Sequence, residues 1–121
     1  MNKKLLVLVI FVNCLAGGLY FYPELTRQKT LALCFHRLEA KKPFKYGWSI
    51  SKQHFVELLD YLVDKGYRTL TCQQLVDFLA GKSALPPRSV ILTFDDAALS
   101  HVSVAVPELK KRNLHGVFFA H

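Results

Sequence analysis

The chain has 121 residues, of which 51% are hydrophobic and 21% are charged, and its formal net charge at pH 7 is +7. This hydrophobic content excludes a disordered charged tail and predicts one small domain with a buried core. The basic residues are scattered in pairs, without the interleaved aromatic residues of a nucleic-acid-binding surface, so we expect no nucleic-acid partner.

The N-terminus carries an apolar run from Leu5 to Tyr22, preceded by Lys3 and Lys4. A run of this length with lysines before it is typical of a secretory signal or a membrane anchor, which assigns residues 1–22 to one signal or transmembrane helix. The aromatic residues at its end suit a membrane interface and favour an uncleaved anchor. The lysines before it predict that residues 23–121, the rest of the chain, lie outside the cytoplasm.

Beyond the anchor, short apolar runs alternate with helical patterns. Strands are predicted at 30–35, 67–71, 90–94 and 116–120. One helix is predicted between a capping Ser51 and Gly66, and a second begins at Thr71, with Gln74 placed three residues later as in a capping box. A third helix is predicted at 100–112. Strands separated by helices predict an α/β fold with a mainly parallel sheet.

Two adjacent aspartates, Asp95 and Asp96, directly follow the predicted strand 90–94. In α/β folds of this kind the loops after the carboxyl ends of the strands carry the chemistry. A single aspartate in this position often caps the next helix. Two carboxylates side by side repel each other unless a cation or hydrogen-bond donors compensate, so the pair indicates a metal-binding or catalytic position.

The segments LPPRSVILTFDDA and VPELKKRNLHGVFFA, with LCFHRL and the segment 50–81 upstream, resemble the polysaccharide deacetylases of carbohydrate esterase family 4. The upstream part is similar to the branch that acts on poly-N-acetylglucosamine. The resemblance implies the N-terminal portion of a distorted (β/α) barrel. It also implies metal-dependent hydrolysis of N-acetyl groups on an N-acetylglucosamine polymer, so the expected partner is a polysaccharide.

The resemblance also implies roles for the strand-end residues. Asp95 is expected to be the general base that takes a proton from the attacking water, and Asp96 a ligand of a divalent metal, usually zinc. His36, after the first strand, is expected to line the site. Ala97 stands where the family motif has glycine, and it is the second site-lining candidate.

The family's metal-binding histidines lie in an H-x-x-x-H motif, and this sequence has no such motif. We therefore expect the chain to be inactive alone. His101 is a second candidate after His36, although no two histidines have metal-ligand spacing. Two alternatives stay open. One is a non-catalytic, membrane-anchored carbohydrate-binding or interaction module, with a stacking patch of Phe44, Tyr46 and Trp48. The other is a small anchored structural protein.

The three cysteines, Cys14, Cys34 and Cys72, have no C-x-x-C spacing and are odd in number. This pattern indicates neither a zinc site nor a disulfide framework. Cys34 lies in an apolar strand and is expected to be a small buried hydrophobic residue. A bridge between Cys34 and Cys72 stays open, since sequence alone does not supply the geometry.

Overall fold

The structure is a computed structural model that describes residues 8–10, 30–39 and 48–120. The strands in this part of the chain are β1 Leu8–Ile10, β2 Leu31–Phe35, β3 Arg37–Glu39, β4 Ser49–Ser51, β5 Arg68–Thr69, β6 Ser89–Phe94 and β7 Val117–Phe118. The helices are α1 Lys52–Asp64, α2 Cys72–Leu79 and α3 Val106–Lys111, the last preceded by a π-helical turn at His101–Ala105.

Five strands form one parallel sheet. Four follow the order β1-β2-β6-β5, in which β5 pairs with the start of β6, and β7 pairs with the C-terminal end of β6. The longest pairing joins β2 to β6 over five residues, from Leu31 opposite Val90 to Phe35 opposite Phe94. β3 and β4 form a separate two-stranded parallel sheet. The predicted α/β fold with a mainly parallel sheet is confirmed.

The hydrophobic core lies between one face of the β2–β6 pair and the helices α1 and α3. The strand residues in it are Leu33, Phe35, Val90, Leu92 and Phe94. Phe55 and Leu59 from α1 and Leu109 from α3 are buried against them. Because side chains alternate along a strand, Cys34 and Thr93 lie on the other face of the sheet.

The first two helices begin where their capping residues predict. The Ser51 hydroxyl accepts a hydrogen bond from the His54 backbone N–H at 3.1 Å. Thr71 and Gln74 form the predicted capping box, in which each side chain accepts from the other's backbone N–H. These bonds satisfy donors that the first turn of a helix leaves without intrahelical partners.

The third helix differs from the continuous helix predicted from Ser100. Its first turn is π-helical, and the Val106 N–H bonds to the His101 carbonyl, five residues back. Pro107 explains this irregularity, because proline has no N–H to donate and its ring crowds the carbonyl four residues before it. The regular α-helix therefore begins only at Val106.

Part of the predicted anchor has another structure. Leu8–Ile10 form the strand β1, which pairs with β2. A short apolar run fits a strand of a sheet as well as a helix, since its periodicity does not separate the two. The rest of residues 5–22 lies outside the described residues, as do Phe44 and Tyr46. Within the described ranges, no helix has both the length and the apolar character needed to cross a membrane.

Candidate metal and catalytic site

The site is built where β2 and β6 end side by side. Phe35 is opposite Phe94 in the parallel register, so His36 and Asp95 follow at the same level of the sheet. The Asp95 N–H donates to the Phe35 carbonyl at 2.9 Å, which continues the pairing by one residue. Residues that are far apart in the sequence therefore meet at one sheet edge.

Three side chains of different chemistry converge at this edge. The ligand atoms of Cys34, His36 and Asp95 all lie within 4.8 Å of one another. The Cys34 thiol donates to Asp95 Oδ2 at 3.3 Å. All three residues are partly buried. Thiol sulfur, imidazole nitrogen and carboxylate oxygen are the donor types that zinc takes in proteins, so their chemistry fits a divalent metal of this kind.

Asp96 lies on the solvent side of this cluster. Its Oδ2 atom is 4.0 Å from His36 Nε2, and its side chain is 59% exposed. The backbone is left-handed at Asp96 (φ 70°) and again at Ala97 (φ 45°). Aspartate tolerates this region, whereas for alanine it costs about 1–2 kcal/mol. The chain therefore turns sharply after β6, and alanine occupies a conformation that glycine would adopt without strain.

His36 is held from two sides. Its ring lies 5.0 Å from the Trp48 ring, measured between centroids, and Trp48 is 59% exposed. Its backbone carbonyl oxygen is bonded to His101 Nε2. His101 itself is only 3% exposed and packs edge-on against Phe94. His101 therefore supports the loop that carries His36 and does not face the site.

The surroundings of Cys34 raise the pKa of its thiol. Burial raises the pKa of the Cys34 thiol, a hydrogen bond with Thr93 lowers it in part, and the Asp95 and Asp96 carboxylates raise it further. The thiol is therefore protonated at neutral pH, in agreement with its hydrogen bond to Asp95. Cys34 and Cys72 are both free, so the disulfide left open by the sequence is not formed.

Of the sequence-predicted site residues, the structure brings Asp95 and His36 into one cluster and places Asp96 and Ala97 beside it. The sequence predicts a small buried hydrophobic residue at Cys34 and misses its place in this cluster. The missed signal was the two-residue spacing of Cys34 and His36, which puts both on one face of a strand. His54 and His115 are exposed and lie away from the cluster, as expected, and His121 is outside the described residues.

The fold, a parallel α/β sheet with paired aspartates and a histidine at its carboxyl ends, is similar to that of solved polysaccharide deacetylases. Solved structures with this fold include IcaB from Ammonifex degensii, which is 40% identical. The match covers 75% of this chain and 37% of that one, with a TM-score of 0.66. A de-N-acetylase from Aggregatibacter actinomycetemcomitans is 30% identical, with coverages of 74% and 36% and a TM-score of 0.65.

A polysaccharide deacetylase from Bacillus cereus shares the fold at 22% identity, with coverages of 77% and 29% and a TM-score of 0.60. These matches confirm the predicted resemblance to polysaccharide deacetylases. No protein-family model matches the chain, and no curated protein does. The chain spans between 29% and 37% of the length of the three solved structures.

Proposed function

We propose that this chain is the part of a metal-dependent polysaccharide N-deacetylase that carries the catalytic aspartate pair. Its sheet would be the N-terminal portion of a distorted (β/α) barrel. The observation that carries this proposal is the Asp95–Asp96 pair beside His36 at the ends of neighbouring parallel strands. The 30% identity to a solved de-N-acetylase supports the reaction class, and an N-acetylglucosamine polymer is the proposed substrate.

The reaction is the hydrolysis of an amide, in which water adds to the acetyl carbon and the bond from carbon to nitrogen breaks. The products are acetate and an amine on the polymer. Asp95 is the proposed general base, because its partly buried carboxylate already accepts a hydrogen bond from the Cys34 thiol and would accept a proton from the attacking water in the reaction.

A divalent metal, with zinc expected, supplies polarisation of the amide carbonyl when it is bound. Asp96 would hold it, with His36 beside Asp96 at 4.0 Å. Carboxylate oxygen and imidazole nitrogen fit zinc as ligands. The two aspartates would therefore have different roles. The partly buried Asp95 carboxylate would accept a proton, and the exposed Asp96 carboxylate would hold the metal.

A non-catalytic carbohydrate-binding module is the second candidate. Trp48 favours it, because its exposed indole lies against His36 at the same strand ends and offers a flat apolar surface to a sugar ring. In either case the globular part is proposed to lie outside the cytoplasm, because Lys3 and Lys4 precede the apolar run at the N-terminus.

A chimera separates the two candidates. Residues 30–120 would replace the matching segment of IcaB from Ammonifex degensii, and acetate release from N-acetylglucosamine oligomers would be measured with added zinc. We expect the chimera to be active. The 121-residue chain alone should release no acetate, because it spans about a third of the neighbours' length.

The matched controls are two conservative aspartate substitutions in the chimera. Asp95→Asn should abolish acetate release, whereas Asp64→Asn, at an exposed position of α1, should leave it unchanged. A folded chimera that binds oligomers through Trp48 without cleaving them would refute the deacetylase proposal and support the binding module.

A further inference from the structure

The Cys34 thiol has no part in the proposed hydrolysis, although it lies against the proposed base. Its sulfur is 3.3 Å from Asp95 Oδ2. For bond lengths of about 2.3 Å to sulfur and about 2.1 Å to oxygen, a tetrahedral zinc ion holds its sulfur and oxygen ligands about 3.6 Å apart. The two atoms are therefore already near the separation that such an ion requires.

We propose that Cys34, His36 and Asp95 form a binding site for a thiophilic divalent cation of the zinc and cadmium class. The donors come from two adjacent strand ends, and all of their ligand atoms lie within 4.8 Å of one another. This donor set contains a thiol and omits Asp96, so it differs from the metal position of the proposed reaction and does not depend on that reaction.

The surroundings favour a cation at this position. Asp95 and Asp96 are adjacent carboxylates beside a partly buried thiol, and a bound cation relieves the repulsion between such groups. Binding requires the thiol to lose its proton to solvent, which makes the affinity rise with pH. His36 is held by contacts at both its backbone and its ring, since its carbonyl is bonded to His101 and its ring lies 5.0 Å from the Trp48 ring between centroids.

Occupation of this site has a consequence for Asp95. A carboxylate that binds a cation is a weaker base, because the positive charge favours its ionised form. A thiophilic cation at Cys34 would therefore weaken the proposed general base, and the site would act as an inhibitory position in a chain that also hydrolyses amides. The same chain without catalytic activity would still bind the cation.

Cadmium titration of the reduced 121-residue chain tests the proposal, with the ultraviolet charge-transfer band between thiolate and cadmium as the readout. The band should disappear in Cys34→Ser and persist in Cys72→Ser, since Cys72 is exposed on α2 and lies outside the cluster. Asp95→Asn should weaken cadmium binding by at least about 10-fold, the loss that even an outer-shell partner causes. Asp96→Asn should weaken binding much less than Asp95→Asn, because Asp96 contributes a neighbouring charge and no ligand atom.

A second measurement uses the unmodified chain and does not depend on the folding of any variant. Alkylation by iodoacetamide, followed by peptide mass mapping, reports each cysteine separately. Cadmium should protect Cys34 and leave the alkylation rate of Cys72 unchanged in the same sample. Equal protection of Cys34 and Cys72, or none at Cys34, would overturn the proposal. Loss of binding in Asp96→Asn with no effect of Cys34→Ser would also overturn it, while supporting the metal position proposed for hydrolysis.

Discussion

Replacement of Ala97 by glycine is expected to stabilise the fold. Ala97 has a φ of 45°, in the left-handed region, where an L-residue with a Cβ costs about 1–2 kcal/mol. Glycine removes this cost, but it adds about 0.4–1 kcal/mol of conformational freedom to the unfolded chain. Ala97 is exposed, so its methyl group contributes no buried contact. The difference leaves a net stabilisation of roughly 1 kcal/mol for Ala97→Gly.

Urea unfolding followed by circular dichroism measures this change as the free energy of unfolding. Ala80→Gly is the matched control, because Ala80 is also exposed but has a φ of −75°, which alanine adopts without strain. The control should be destabilised by about 0.4–1 kcal/mol. The reasoning would be refuted if both substitutions destabilised the chain equally, since the left-handed backbone at Ala97 would then carry no strain.

Two further changes test a helix cap and a buried ion pair. Thr71→Ala removes the capping box of α2 and should cost about 0.5–2 kcal/mol in urea unfolding, while Thr71→Ser, which keeps the hydroxyl, should lose little. Hydrogen bonds from Lys111 and Arg112 lower the pKa of Glu108 from 4.5 to about 2. Because this pKa is lower in the folded state, the stabilisation by Glu108 is complete above pH 4.5 and is lost as the pH falls towards 2. Stability measured across this range should therefore fall less steeply in Glu108→Gln than in the wild type, and identical pH slopes would contradict the assignment.

Local chemistry explains which elements the sequence predicts well. The starts of α1 and α2 depend on Ser51 and Thr71, whose side chains bond within three residues, so neighbouring sequence contains the whole signal. The strands β3 and β4 depend instead on each other. Their sequences, RLE and SIS, are too short for a periodic pattern, and they are paired only in the folded chain.

The candidate site divides in the same way. Asp95 and Asp96 could be found from the sequence because they directly follow an apolar strand, and the end of such a strand is where chemistry is expected. The apolar pattern of LALCF does not by itself distinguish Cys34 from a core residue, because a thiol there has the same pattern as a buried aliphatic side chain. Its role depends on the partner strand, which approaches from about sixty residues further along the chain.

The register between β2 and β6 connects the core to the site. Phe35 and Phe94 are opposite each other, and their rings stack 5.2 Å apart on the face that packs against α1. A shift of β2 by one residue would turn Cys34 and His36 towards the helices and expose the apolar side chains now buried there. The burial of Phe35 and Phe94 therefore excludes such a one-residue shift and keeps a thiol, an imidazole and a carboxylate on the opposite face. Any substitution that loosens this aromatic contact should weaken cation binding at Cys34 as well as stability, although neither phenylalanine side chain belongs to the Cys34, His36 and Asp95 cluster.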